Sequence, residues 1–459
     1  MPSSLSSLPQ ELLIEIMTHL DSRSILQMAL SCRSFHAVFQ STPIRYIYEL
    51  GMDSMQDAGS GKSTDELLVL LRDSTKLPTY QAICRNIGGA VENDILVIYL
   101  PSSTQPSHTI RNPIGTHCIQ DFAIDANQDL IILAEYPQVY LSRISLHCRT
   151  ISTNEVHPNA IPGGILEFEI HDKHWERQLL SMKVSLADDV VALCGSWREG
   201  LNHLLLWNWT TGLLLFNSFE DVLPRRSMNL NLEFDFLRQD AFLLASPSLS
   251  GQILIYRFSP TTPGIPVHVA SFGLPPTAPL AGMLFIHSPE PRVLTFFINY
   301  RRESYLLFVW SSTFLRYMYA TGASEAQDMP WETWGETESR FMKVNTEGGR
   351  RRNLHGSDAI NACGSRVIHG FPDRTSIEVM DFSSTQACLA SPICRRYGSD
   401  NPTIVPRKEV FTQDVVTRLP HWAVSKVMER KSDTYMIDEE RIIALHVGHF
   451  LHFVIKPIY

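Results

Sequence analysis

Most of the short signatures that mark an enzyme or a metal protein are missing from this chain. There is no Cys-x-x-C pair among its eight cysteines, which fall at 32, 84, 118, 148, 194, 363, 388 and 394. That absence argues against a zinc ribbon and against a thioredoxin-like redox site. Scattered single cysteines in a long chain are read as reduced, buried thiols, which predicts a cytoplasmic or nuclear location. No G-x-S-x-G elbow and no H-E-x-x-H helix occur, so neither a serine hydrolase of that type nor a zincin is indicated. No unbroken apolar run reaches the roughly 20 residues needed to span a bilayer. The closest, Leu204 to Phe219, is interrupted by Asn, Thr and Gly. An excess of positive charge is also lacking: 39 basic against 48 acidic residues give a net charge of −9. A basic field for nucleic acid is therefore not expected. The N-terminus has no basic start and carries Glu11 and Glu15 in its first apolar stretch, so no secretory leader is expected.

What is present is a well-packed composition, 44% hydrophobic and 19% charged, in 459 residues. That length suggests a small domain plus one large one. Leu12, Ile16 and Leu20 recur at steps of four, with Leu13 and Met17 beside them, and predict an amphipathic helix that begins at Pro9. Asp21-Ser22 breaks it and offers caps for a second helix from Ser24 to Leu30; Phe35, Val38 and Phe39 form a third stripe. Three helices in about 40 residues bury too little surface to stand alone, so an apolar face is left for a partner or a larger core.

Leu8-Pro9-x-Glu11-Leu12, then Leu20-Asp21, then Ala29-Leu30-Ser31-Cys32-Arg33-Ser34-Phe35, resembles an F-box over residues 5 to 45. Ile25-Leu26 stands where Leu-Leu is commoner, a volume-conserving change. The resemblance implies docking onto the Skp adaptor and, through it, a cullin, with the chain as substrate receptor of a ubiquitin ligase. Carried over position by position, the adaptor-binding residues would be Leu8, Pro9, Leu12, Ile16, Leu20, Ile25, Leu26, Leu30, Cys32 and Phe35. The contrasting reading is an interaction scaffold, independent of ubiquitin ligation, whose helices pack only on its own body.

A connector follows. Gly59-Ser60-Gly61-Lys62-Ser63-Thr64 invites a phosphate-loop reading, but Gln56 occupies the position of the required first glycine and the residues before it are polar. A flexible tether leading to a capping box at Ser63 to Glu66, with Leu67, Leu68, Leu70 and Leu71 behind it, explains the same residues.

From about residue 80 the texture becomes short apolar runs between turns, as in Leu130-Ile131-Ile132-Leu133 and Ala241-Phe242-Leu243-Leu244. A unit recurs: alternating residues, an Asp-containing turn, an apolar strand, a loop, then a second apolar strand ending in an aromatic. Copies start at Phe122, Met182, Leu232 and Tyr435, and the aromatics Trp207, Tyr256 and Trp310 step by 49 and 54 residues. Such spacing suits four short strands per unit. The pattern looks like a degenerate β-propeller of the WD-repeat kind, with Trp207-Asn208 where that family often has Trp-Asp. Six to eight blades are expected, closed by the segment ending Phe450 to Ile455. In its order of parts the chain resembles F-box proteins of mushroom-type fungi.

The expected organisation is an all-α F-box of three helices (1–45), a linker with a connector helix (46–80) and a mainly-β, propeller-like domain that recruits a protein substrate (81–459). Residues 321 to 356 read as a long irregular loop. In it Trp331, Trp334, Arg350, Arg351 and Arg352 are candidates for a substrate-facing surface, set against the plainer reading of tryptophans tucked onto a blade. His171-Asp172-Lys173-His174 has two histidines three apart but no third ligand, and reads as a surface turn. No catalytic residue, metal or cofactor is expected, and neither nucleic acid nor membrane as a partner.

Overall fold

The structure is a computed structural model. It describes residues 8–20, 22–52, 63–65, 68, 80–85, 93–99, 108–115, 119–135, 143–169, 179–197, 202–224, 233–246, 251–275, 282–286, 293–300, 303–319, 326–344, 360–370, 376–383, 394–407, 410–428, 432, 434–437, 441–447 and 451–457.

Four helices open the chain: α1 (Gln10–Thr18), α2 (Ser22–Ser31), α3 (Arg33–Phe39) and α4 (Thr42–Met52). Pro9 caps α1, and its carbonyl accepts from the Leu12 and Leu13 amides at 3.1 and 3.2 Å. Leu13 and Met17 of α1, Ile25 of α2, Phe35 and Val38 of α3 and Ile44 of α4 form one buried cluster, to which no β residue contributes among the described residues. The fourth helix carries the helical unit to Met52, past the expected end at residue 45. Its Pro43 lies in the first turn, where a missing N–H costs nothing.

The rest is mainly β. Among the described residues, seven sheets of three to five strands follow one another in chain order. The first lies between Tyr80 and Gly115. The first strands of the other six are Ile119–Asp125, Leu179–Ala187, Glu233–Arg238, Gly282–Ile286, Ile360–Cys363 and Thr434–Ile437. Each sheet begins as an antiparallel meander, and these six first strands are neighbours of one another from sheet to sheet.

The buried clusters give the stacking order. Within the strand Leu130–Glu135, Ile131 and Leu133 face the first sheet while Leu130, Ile132 and Ala134 face the third. In Val190–Trp197, Val191 and Leu193 turn back to the second sheet, and Val190 and Ala192 forward to the fourth. In Ala241–Ser246, Phe242 and Leu244 turn back, and Ala241, Leu243 and Ala245 forward to the fifth. Further clusters join the fifth sheet to the sixth and the sixth to the seventh. A strand covered on both faces needs a continuous apolar run, since side chains alternate between faces. First strands side by side, with sheets stacked face to face in chain order, are the arrangement of a β-propeller.

The recurring unit has a physical basis in its turns. Asp129 and Asp188 lie in the left-handed region (φ 54° and 50°), which Asp tolerates better than most residues. The same turns tie neighbouring sheets together: Gln128 Nε2 donates to the Asp188 carbonyl at 3.0 Å, and Gln239 Nε2 donates to the Asp189 carboxylate. Trp207, Tyr256 and Trp310 each stand in the third strand of their sheet, as the spacing implied. The last strand, Leu451–Pro457, pairs with Arg441–Val447 of its own sheet. Its expected role in closing a ring with the opposite end of the chain does not appear among the described pairings.

Asn208 shows why the Trp-Asn pair departs from Trp-Asp. Its Oδ1 accepts from the amides of Thr210 and Thr211 (3.1 and 3.0 Å), while its Nδ2 donates to Asp189 Oδ2 (2.7 Å) and to the Pro260 carbonyl (3.2 Å). Aspartate could not make the last two bonds and would set a second carboxylate against Asp189. Asn208→Asp should therefore lower unfolding free energy by about 2 kcal/mol. An unchanged denaturation midpoint would overturn this account of the turn.

Candidate functional site

The four-helix unit has an inner and an outer apolar set. Leu13 and Met17 take the inner face of α1, which leaves Leu12 51% exposed and Ile16 half-buried. On α2, Ile25 and Ala29 go inward, Leu26 is half-buried, and Leu30 is 75% exposed. Leu12 and Leu30 are the exposed large apolar side chains among the described helical residues. His19 and Glu15, 3.4 Å apart, are both largely solvated and contribute little.

The ten residues expected to dock an adaptor therefore divide. Pro9, Leu12 and Leu30 are exposed, and Leu8, Ile16, Leu20, Leu26 and Cys32 are half-buried. Ile25 and Phe35 lie in the helical core. There they pack with Leu13, Met17, Val38 and Ile44 and help hold the four helices together.

Residues 5–44 match the F-box-like family. This segment is an F-box-like domain. It accounts for the Leu-Pro start and the Cys-Arg-x-Phe end, and it includes the first turn of α4, which the opening motif did not reveal. A search of curated proteins found no match to the chain. Among solved structures, the chain is similar to the Dos1 propeller (12% identity over 78% of this chain and 72% of that one, TM-score 0.37). It is also similar to the WD40 domain of Toxoplasma gondii coronin (10%, 77% and 80%, TM-score 0.35) and to the WD40 domain of SCAP from fission yeast (8%, 82% and 80%, TM-score 0.36). At these scores the propeller assignment stands on the sheet order and core clusters described above.

The second candidate surface is corrected. Trp331 and Trp334 do not sit on an exposed loop. They belong to a helix (Trp331–Glu338) that follows a first inserted helix (Ser311–Tyr319) and a short strand (Gln327–Met329), and both are buried. The strand adds in parallel to Val267–Gly273 of the fourth sheet, and Trp334 Nε1 donates to the Gly273 carbonyl at 3.1 Å. The two indoles pack edge to face at 5.1 Å, and a Cβ at Gly335 would run into Trp331. Arg350, Arg351 and Arg352 lie outside the described residues, as do Gly59 to Lys62 and His171 to His174.

Among the described residues, no three His, Cys, Asp or Glu side chains converge as metal ligands. Burial pushes the Cys148 thiol up to about 12, which makes it a poor nucleophile. Burial also raises the Asp188 carboxyl, helped by the nearby charges of Asp125 and Asp189.

One cluster had no sequence signal. Arg340, in the strand Ser339–Val344, is fully buried, and its partners among the described residues are all neutral oxygens. Nε reaches the Leu419 carbonyl (2.8 Å). Nη1 reaches Thr403 Oγ1 (2.9 Å) and the carbonyls of Asn401 (3.2 Å) and Thr417 (3.3 Å), and Nη2 reaches that of Tyr397 (3.5 Å). These partners belong to an excursion of the sixth sheet that leaves after Ser376–Asp381 and returns at His421–Val427.

Proposed function

We propose that the chain is the substrate-recognition subunit of a Skp–cullin–F-box ubiquitin ligase. The F-box-like domain docks the Skp adaptor, the adaptor joins it to a cullin, and the β domain recruits a protein substrate. The chain itself is an adaptor and not an enzyme: it raises the local concentration of substrate near transfer machinery carried by its partners. Such a role belongs in the cytoplasm or nucleus.

One observation carries this reading. Over the residues that match the F-box-like family, Leu12 and Leu30 remain exposed although the helical core beneath them is complete. Large apolar side chains left outside a finished core suit a binding partner, at about 1.5 to 3 kcal/mol for each one buried.

The test is co-expression of the full chain with a Skp adaptor, followed by affinity capture through the adaptor and size-exclusion chromatography. A co-eluting complex is expected. A well-folded chain that elutes alone would sink the ligase reading and leave the propeller scaffold in its place.

A further inference from the structure

The excursion held by Arg340 carries a second unusual group. His421 begins the strand His421–Val427 and is buried, and among the described residues neither ring nitrogen has a hydrogen-bond partner. Its ring lies flat against Tyr397 (centroids 4.7 Å apart, planes 3° apart) and against Phe382 (5.3 Å, 28°). Tyr397 is its direct cross-strand partner in the ladder with Cys394–Tyr397. A neutral imidazole leaves one N–H without an acceptor in this sandwich, whereas an imidazolium would leave two and bury a charge besides.

The charged groups on the surrounding elements do not help it. Arg340, from the strand Ser339–Val344, adds its positive charge to the burial penalty. Arg395 and Arg396 share the strand of Tyr397, and Arg396 sits over the Trp422 ring at 5.8 Å. Asp381 faces Trp422 in the ladder and is tied to Arg366 Nε at 2.9 Å, and Glu378 faces Ser425. The Leu419 carbonyl gives the ring slight support in its charged form.

We propose that the excursion, described over 394–407 and 410–419, is a latch that acid releases through His421. What it latches is visible. Val405, Val410, Phe411 and Val415 pack into the core that holds Trp331 and Trp334, and Arg418 Nε pairs with Glu336 Oε1 at 2.8 Å. The Arg418 amide also donates to the Glu336 carbonyl, and the Leu419 amide to that of Ser339. The excursion of the sixth sheet thus closes over the insertion of the fifth.

The direction follows from linkage. Burial first, and Arg340 second, push His421 down from 6.5 to about 3. The closed state therefore binds fewer protons than the open one. Its advantage is complete above the ordinary imidazole value and falls by about tenfold per pH unit below it, until the closed state itself protonates.

Hydrogen exchange of the full chain at pH 7.5, 6.5, 5.5 and 5.0, corrected for the intrinsic pH dependence of exchange, tests this. Peptides from 394–419 should gain about tenfold in opening for each unit below 6.5, while peptides from Ala241–Arg257 stay protected. His421→Phe keeps both ring stacks, removes the titrating nitrogens and should flatten the profile; His421→Leu serves if phenylalanine overfills the site. His369, whose own pKa is lowered by burial, is present throughout, so the difference between proteins isolates His421. A flat wild-type profile, an equal acid response in both variants, or loss of protection spread evenly over all sheets would each overturn the proposal.

Discussion

Leu12→Asp combined with Leu30→Asp should abolish capture by the Skp adaptor while leaving the melting temperature of the chain unchanged. Both side chains lie outside the helical core, so neither contributes cavity or packing terms to folding, and surface changes of this kind usually stay within about 0.5 kcal/mol. Binding is affected differently. Each leucine would forfeit about 1.5 to 3 kcal/mol of burial, and each new carboxylate would have to be desolvated against an apolar partner. Together these predict a loss of affinity of about a thousandfold or more, taking about 1.4 kcal/mol per tenfold. Ile25→Asp supplies the contrast: it places a charge in the closed cluster and should unfold the helices, which removes capture and structure together. Titration calorimetry with purified adaptor and circular dichroism on the same samples separate the two outcomes. Retained binding in the folded double variant would show that the outer leucines do not form the docking face.

The helical stripes illustrate how far the sequence could be read. Alpha-1 carries two overlapping apolar rows, Leu12–Ile16 and Leu13–Met17, and periodicity finds both but does not rank them. Which row turns inward depends on α2, α3 and α4. The α4 stripe of Ile44, Ile47 and Tyr48 lies beyond the Cys-Arg-x-Phe end of the motif, which gives no sign of it. In the β domain the runs were legible because two-sided burial leaves a strong imprint: Leu130 to Leu133 are all apolar since each face meets another sheet. Trp331 and Trp334 were misplaced for the opposite reason. Their short helix is stabilised by Phe272, Phe341 and the Gly273 carbonyl, partners set by the parallel pairing of Gln327–Met329, and no local pattern announces that pairing. Arg340 was invisible on the same grounds, since its partners lie 57 to 79 residues further along the chain.

That arginine carries the second large expectation. Arg340→Met should destabilise the chain by about 3 kcal/mol or more, since each buried oxygen left without its donor costs about 1 to 3 kcal/mol. Methionine fills part of the volume, but the carbonyls of Leu419, Asn401, Thr417 and Tyr397 and the Thr403 hydroxyl would each lose a donor. Burial lowers the guanidinium to about 10, which still leaves it charged at neutral pH, and no carboxylate is among its described partners. Its worth therefore lies in geometry: a planar fork spreads donors over Nε, Nη1 and Nη2, and these reach three short strands and the connecting residues Asn401 and Leu419 at once. Arg340→Lys should rescue little, because a single ammonium at the end of a flexible stem cannot serve oxygens on opposite sides of the site. Denaturant unfolding of the three proteins would check this. Near-wild-type stability of the lysine variant would mean that charge, and not the fork, fastens the excursion to the fifth sheet. If instead both variants fall together, and hydrogen exchange shows 394–419 opening before the rest, Arg340 fastens the same segment that packs on His421.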